Sequence, residues 1–226
     1  MEELHDAKKL AAEMAAEIQA LAVHNTATER AVVRRYTQRV SQWEAEPVLA
    51  LAQELLEEHA CRWQAYELVA AHPAAFHRLG PAELERLGRG IDRWWSVDAF
   101  ARTLSGPAWC RGQVDDALIL AWAVSPDRWW RRAALVSTVA WNVRSLDGRG
   151  DAPRTLAVCR LLAGEHDDML AKALSWALRM LVFFDPAAVR SFLEDYDAVL
   201  AARVKREVHI KLATGLKNPR RKRNVE

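Results

Sequence analysis

An indole and a carboxylate stand four residues apart in the stretch from Asp92 to Asp98. On a helix, Trp94 and Asp98 would share one face, one turn apart. A carboxylate can stabilise positive charge that develops on a sugar, and the face of an indole can do so through a cation–π contact. The pair is therefore a candidate site for breaking a glycosidic bond.

Two further clusters of tryptophan and basic residues follow at distances close to one structural repeat. The first is WWRRAA at residues 129–134, and the second is KALSWALR at residues 172–179. Arginine and lysine pair with phosphate, and the electron-rich face of an indole attracts a cation. The three clusters together favour a site that grips a polyanion while positive charge develops on one of its sugars.

Each cluster also has a purely structural interpretation. Trp94 alone is more often a core or groove residue, and Asp98 alone could cap a segment or pair with a neighbouring arginine. Arg132 could be solvated on its helix, and Trp176 could pack between helices. The ordered occurrence of all three clusters favours the functional interpretation. We expect three other tryptophans to be packing residues: Trp95, Trp130 and Trp141.

The composition is that of a helical globular protein. The chain has 226 residues, 51% hydrophobic and 27% charged, and its 9 glycines and 8 prolines are few for an all-β chain. No apolar run reaches the roughly 18 residues of a membrane span, and the acidic N-terminus lacks the apolar core of a signal peptide. The three cysteines have no CxxC spacing, which predicts reduced thiols in a cytoplasmic protein.

Charge is distributed unevenly, although the net charge is only +2. Residues 1–60 hold 6 lysines and arginines against 11 acids, whereas residues 203–223 hold 9 basic residues and one acid. A basic C-terminal end fits nucleic-acid binding. We interpret residues 216–226 as a basic, flexible tail; its alternative role is only to keep the chain soluble.

The hydrophobic periodicity is helical, with Leu4, Leu10, Met14 and Ile18 marking one face of the first segment. Prolines and glycines separate the segments, and no run alternates as a strand would. The predicted helices cover residues 3–22, 28–43, 46–58, 61–72, 81–90, 93–104, 108–124, 127–143, 154–163, 167–183, 185–196 and 199–215.

These helices form pairs that repeat. The second helix of each pair begins with a basic or aromatic cluster, and successive clusters are 33, 31, 37, 41 and 33 residues apart. Such spacing is typical of tetratricopeptide, HEAT and armadillo units. We therefore predict an all-α fold: one α-solenoid domain of about six HEAT-like helix pairs over residues 1–215, with a concave DNA-binding cleft. The residues expected on its wall are Arg30, Trp63, Trp94, Arg132, Trp176 and Lys205.

Over roughly residues 10–215, the chain resembles the AlkD-like DNA alkylation repair glycosylases. Trp94-x-x-x-Asp98 resembles the family's tryptophan and catalytic aspartate on one helix. Arg132 resembles its active-site arginine, and Trp176 its second sugar-facing indole. A basic element of the family's last repeat is similar to the stretch that contains Lys205 and Arg206.

The resemblance implies a monofunctional glycosylase that removes positively charged N3- or N7-alkylated purines from duplex DNA. Asp98, Trp94, Trp176 and Arg132 are then catalytic, and Arg132 would clamp a phosphate and keep Asp98 ionised. Such enzymes act as monomers, use no cofactor and need not flip the base into a pocket. The residues expected to bind DNA are Arg30, Arg131, Lys172, Arg179, Lys205 and Arg206.

Other residue types limit the chemistry. No lysine stands beside Trp94 or Asp98 to form a Schiff base, which favours base removal without strand scission. The histidines show no ligand-like spacing with cysteine or carboxylates, so we predict no metal. Two non-catalytic alternatives remain: a solenoid that binds a protein in its groove, and a relative that binds damaged or branched DNA without cleaving it.

Overall fold

The computed structural model describes residues 2–146 and 148–217, and within these ranges the chain is helical and has no strand. This confirms the all-α prediction. The α-helices are α1 (Glu2–Gln19), α2 (Thr26–Arg39), α3 (Ala45–Glu57), α4 (Arg62–Ala71), α5 (Pro73–His77), α6 (Pro81–Gly88), α7 (Trp94–Phe100), α8 (Gly106–Cys110), α9 (Asp116–Ala123), α10 (Arg128–Trp141), α11 (Ala152–Leu161), α12 (Asp168–Leu181), α13 (Pro186–Asp195) and α14 (Ala202–Thr214). A π-helix (Ala101–Ser105) joins α7 to α8, and a 3-10 turn (Arg144–Leu146) follows α10.

The chain divides into two compact units, unit 1 up to Val114 and unit 2 from Asp115. In unit 1, α1 packs on α3, and α3 packs on α5 and α6, while α2 packs on α4, and α4 packs on α7 and the π-helix. In unit 2, α9 packs on α11, while α10 packs on α12 and α12 packs on α14. Consecutive helices also pack on each other, among them α3 on α4 and α9 on α10, so alternate helices form two rows that pack together inside each unit.

Three broader expectations keep the status of predictions. They are a single domain over residues 1–215, a solenoid built from HEAT-like pairs, and a concave cleft. The basic tail predicted at residues 216–226 lies outside the described residues beyond Lys217. Among the helices of residues 2–146 and 148–217, none combines the length and the hydropathy of a membrane span.

The helix that begins at Trp94 does not break at Gly106-Pro107, so the sequence prediction is wrong there. Helical backbone continues to Cys110, and the N–H of Gly106 donates to the carbonyl of Ala101, five residues earlier. A π turn is wider than an α turn and leaves room for the ring of Pro107, which also has no N–H to donate. The proline therefore produces a π-helix directly after α7 instead of a break.

The helix predicted over residues 108–124 is divided in the structure. Gly112 adopts a left-handed φ of 71°, which ends the helical path after α8. Asp115 then caps α9, because its carboxylate accepts a hydrogen bond from the N–H of Leu118 at 3.1 Å. The sequence reading also misses α5, whose first turn is capped by His72: its Nδ1 accepts from the N–H of Ala75 at 3.1 Å.

The three cysteines, all within the described ranges, form no disulfide. Cys61 and Cys159 are buried, and desolvation raises the pKa of both thiols. Cys110 is half-buried. Burial favours the neutral, unreactive form of Cys61 and Cys159.

A buried amide holds the segment between α10 and α11. Asn142 follows α10, and its Nδ2 donates to the carbonyl of Thr138 at 3.0 Å and to the hydroxyl of Thr155 at 2.8 Å. Its Oδ1 accepts from the N–H of Asp151 at 3.4 Å. Because Asn142 and Thr155 are both buried, neither group can turn to water if its partner is lost.

We predict that Asn142→Ala lowers the free energy of unfolding by roughly 1–3 kcal/mol, because buried partners are left unsatisfied. Thr155→Val should also destabilise the protein, and the double variant should lose less than the sum of the two single losses. Urea denaturation of the four proteins measures this. Strictly additive losses would show that the two side chains do not act as a pair.

Candidate active site

Trp94 and Asp98 lie on the outer face of α7. The helix begins at Trp94, after Arg93 in extended backbone (φ −142°, ψ 149°). The hydroxyl of Ser96 donates to the carbonyl of Arg93 at 2.8 Å and so ties the first turn together. Val97 is fully buried on the inner face. The sequence-predicted pair thus shares one face at a spacing of one turn.

The two members of this pair differ in exposure. The indole of Trp94 is 55% exposed, which is high for so large an apolar ring, whereas Asp98 is half-buried. In a helix, residues four apart lie on the same face, so Asp98 lies on the turn directly after the one that carries Trp94. This arrangement places a negative charge beside an accessible π face.

Arg131 and Arg132 begin the buried part of α10, in unit 2. Arg131 donates from Nη1 to the carbonyls of Ser125 and Pro126 at 2.8 and 3.0 Å, and its Nε lies 3.1 Å from Glu165. Arg132 is only 4% exposed and donates to the carbonyl of Met169 in α12. Both guanidinium groups are therefore held by protein partners within unit 2.

The open stripe of α12 carries Lys172 and Trp176. Both are half-buried, and they stand one turn apart on a helix whose other faces are packed. The Nζ of Lys172 lies 2.6 Å from Asp168, which also pairs with Arg203 of α14 at 3.3 Å. The hydrogen bond from Lys172 lowers the pKa of the Asp168 carboxyl. Lys172 thus has an acidic partner on its own helix.

Arg179, also predicted to bind DNA, is buried in an α12–α14 contact. Its Nε donates to the carbonyl and hydroxyl of Ser175 at 3.1 Å, and its Nη2 lies 3.8 Å from Glu207. The hydroxyl of Ser175 donates to the same carboxylate at 2.7 Å. Desolvation lowers the pKa of Arg179, and Glu207 partly opposes this. Arg179 is placed to support the helix that carries Trp176.

The remaining predicted DNA contacts are on the surface. Arg30 of α2 forms an ion pair with Glu67 of α4, in which its Nε and Nη2 lie 2.8 and 2.6 Å from the same oxygen, Oε1. The guanidinium of Arg30 also lies 5.9 Å from the ring centroid of Trp63. Lys205 lies 3.1 Å from Asp197. Arg206 is exposed and turned to solvent. Of these three, Arg206 is the most readily available to a phosphate.

Trp95, predicted to be a packing residue, is 39% exposed, and that prediction is wrong. It precedes the buried residues of α7 by one position, and the helix turns it outward beside Trp94. By contrast, Trp130 does pack, with its ring 4.7 Å from that of Trp122, and Trp141 lies under the guanidinium of Arg154 at 5.0 Å. The sequence signal for this exposure is the apolar pair Val97 and Phe100, three residues apart, which forms the buried face of α7 opposite Trp95.

The described chain is thus helical, and it carries an exposed indole and a half-buried carboxylate on one face of α7. A model of the DNA alkylation repair enzyme family matches residues 1–212, and the chain belongs to that family. This confirms the resemblance drawn from the three motifs. Searches of curated proteins and of solved structures gave no match. In the described part of the chain, no group of three or more His, Cys, Asp and Glu side chains is arranged to hold a metal ion.

We predict that Glu207→Ala lowers the free energy of unfolding by roughly 1–3 kcal/mol, since it removes the acceptor of Ser175 and the opposite charge of buried Arg179. Glu207→Gln retains an acceptor and should cost less. Arg206→Ala, on the exposed side of the same helix, is the matched control and should leave the melting temperature unchanged. Equal melting temperatures for Glu207→Ala and Arg206→Ala would contradict the assignment.

Proposed function

We propose that the protein is a monofunctional DNA glycosylase that hydrolyses the N-glycosidic bond of N3- or N7-alkylated purines in duplex DNA. Membership of the DNA alkylation repair family supports the substrate class. The observation that carries the proposal is that Asp98 and the exposed ring of Trp94 lie on one face of α7, one turn apart. This pair has the charge and the π surface that the reaction requires.

Alkylation at N3 or N7 gives the purine a formal positive charge. When the N-glycosidic bond breaks, its electron pair goes to the base, which leaves as a neutral molecule. Positive charge then develops on the deoxyribose as an oxocarbenium-like cation, and water adds at C1′ to give an abasic site. Little acid catalysis is needed, because the leaving group is already activated. The enzyme must instead stabilise the cation and position water.

Asp98 can perform both tasks. An ionised carboxylate stabilises the adjacent cation, and it can orient the attacking water and accept its proton, as carboxylates do in glycoside hydrolysis. Trp94 can present its ring face to the sugar, a cation–π contact of roughly 0.5–2 kcal/mol. The half-buried position of Asp98 favours this role, because a less hydrated carboxylate interacts more strongly with a nearby cation.

The proposed roles in unit 2 differ between its two residues. Trp176, on the open stripe of α12, is assigned a second cation–π contact with the sugar. Arg132 is assigned a phosphate contact, but only a small part of it is exposed. We therefore expect that replacing Arg132 affects the packing of α10 on α12 as well as cleavage, because its guanidinium also donates to the carbonyl of Met169.

The distribution of lysines favours a monofunctional enzyme. A glycosylase that also cuts the strand forms a Schiff base between an amine and C1′. The sequence has no lysine between Lys9 and Lys172, so none lies near Asp98 along the chain. We propose that the product is an intact strand with an abasic site.

The first test compares release of N7-methylguanine from a site-specifically methylated duplex by the wild type, by Asp98→Asn and without enzyme. We predict release above spontaneous depurination by the wild type and a loss of at least roughly a hundredfold in Asp98→Asn, because the neutral amide cannot stabilise the cation. Asp92→Asn, an exposed acid just before α7, is the matched control and should keep wild-type activity.

The other outcomes identify the alternatives. Tight duplex binding without base release would favour the relative that binds damaged or branched DNA. Neither binding nor release, also with an N3-methyladenine duplex, would favour a protein-binding scaffold. Release that survives unchanged in Asp98→Asn would exclude Asp98 as the central carboxylate.

A second prediction concerns the phosphate contacts of Arg206. In Arg206→Ala, duplex affinity should fall, and the slope of log K against log salt concentration should decrease by about 1, because one fewer counterion is released. Arg160→Ala removes an exposed arginine from α11, in the other row of unit 2, and should leave the slope unchanged. Equal slopes in all three proteins would exclude Arg206 from the DNA contact.

A further inference from the structure

The first two residues of α7 are the most exposed tryptophans of the protein. All ten tryptophans lie in the described ranges, and only Trp94 and Trp95 are exposed, at 55% and 39%. Within those ranges, neither indole has a ring, cation or hydrogen-bond partner. Other tryptophans are covered: Trp109 is buried, and Trp129 lies under the guanidinium of Arg128 at 4.6 Å.

The helix places Asp98 between these two rings. Successive residues are about 100° apart around an α-helix, so Asp98 lies about 40° from Trp94 and about 60° from Trp95 in projection. Both rings are neighbours of Asp98, at i−4 and i−3. In projection, Asp98 lies between the two tryptophan positions, one turn further along the helix. Trp95 therefore borders the proposed reaction site from the side opposite Trp94.

Packing gives no reason for this exposure. Adjacent exposed indoles form an apolar patch of the kind that marks a binding surface, and such a patch is covered when a ligand binds. The flanking side chain of Arg93 is exposed and cationic, so the patch combines aromatic stacking surface with positive charge. That combination suits nucleic acid, whose bases stack on aromatic rings while the phosphates pair with arginine.

We propose that Trp95 is a further substrate-contacting residue, whose ring stacks on a nucleotide next to the one that is cleaved. This inference rests on the proposed function. If the cleaved sugar lies against Asp98 and Trp94, a ring on the other side of Asp98 reaches the next nucleotide along the strand. Trp95 then contributes to binding of the duplex in the ground state, whereas Trp94 contributes to stabilisation of the cation.

Replacement of the two rings should therefore affect different quantities, the Kd for Trp95 and the rate of base release for Trp94. Trp95→Ala should raise the Kd for duplex DNA roughly tenfold, the effect of losing one base–aromatic stack. Its single-turnover rate of N7-methylguanine release at saturating enzyme should stay within roughly threefold of the wild type. Trp94→Ala should mainly lower that rate. Trp43→Ala, at a half-buried tryptophan between α2 and α3, is the matched control for Kd.

The contact can be tested with the DNA as well as the protein. The probe is a fluorescent duplex with a tetrahydrofuran abasic analogue at the cleavage position, which cannot react. In two further duplexes, the neighbouring base on the 5′ or the 3′ side is also removed. Loss of the stacked neighbour should weaken binding by the wild type but not by Trp95→Ala, so the two changes should be non-additive on one side.

The outcomes separate this inference from the proposed function. Unchanged Kd in Trp95→Ala, or additive effects on both sides, would overturn the stacking contact. Weaker, non-additive binding together with an absence of base release from every methylated duplex would keep the contact and overturn the glycosylase. If Trp95→Ala is poorly folded by thermal melting, Trp95→Leu provides the test, because leucine keeps an apolar side chain and removes the stacking face.

Discussion

The rotational setting of α7 depends on Phe100, which is fully buried and meets Tyr66 of α4 edge to face, with ring centroids 5.7 Å apart. Tyr66 is itself fixed, because its hydroxyl donates to the carbonyl of Leu87 at 3.2 Å. Rotation of α7 by about 100° in the direction that moves Asp98 to the place of Val97 would bury the carboxylate and would move Phe100 out of this aromatic contact. The inward packing of Phe100 therefore determines that Trp94, Trp95 and Asp98 face outward. The chemistry proposed for this face is a consequence of how one aromatic ring packs.

In unit 2, polar contacts rather than an aromatic contact fix the helix that carries the predicted site residue Trp176. The buried residues Ser175 and Arg179 form a polar network with half-buried Glu207 between α12 and α14, and Trp176 follows Ser175 on the open stripe. A buried guanidinium is costly unless it is paired, so the network constrains how α14 packs on α12. Arg131 and Arg179, which the sequence predicts to bind DNA, instead donate hydrogen bonds to protein groups of unit 2. Exposed Arg206 remains available to a ligand, whereas buried Arg179 stabilises the packing of α12 on α14.

The sequence predicts the helical class, most helix positions and the face shared by Trp94 and Asp98, since these follow from periodicity over a few turns. It does not predict the π-helix, because the response to Pro107 depends on whether packing holds the chain helical on both sides of it. The burial of Arg132 and Arg179 also escapes, since residue type cannot distinguish an arginine that faces a phosphate from one that faces a carbonyl or carboxylate of a neighbouring helix. Residue type predicts that Trp95 is a packing residue, because large apolar residues are usually buried. Trp95 departs from that rule because Val97 and Phe100 form the buried face of α7, and Trp95 lies on the opposite side of the helix.

The central claim is that the damaged base leaves intact, with the alkyl group still attached. The most direct measurement follows a duplex whose N7-methylguanine carries a radiolabelled methyl group, and determines where the label goes. A glycosylase releases it as free N7-methylguanine and leaves a strand that breaks only on alkaline treatment. Label transferred to the protein, or lost as a one-carbon product while unmodified guanine stays in the duplex, would show that the alkyl group is removed directly and would contradict the account.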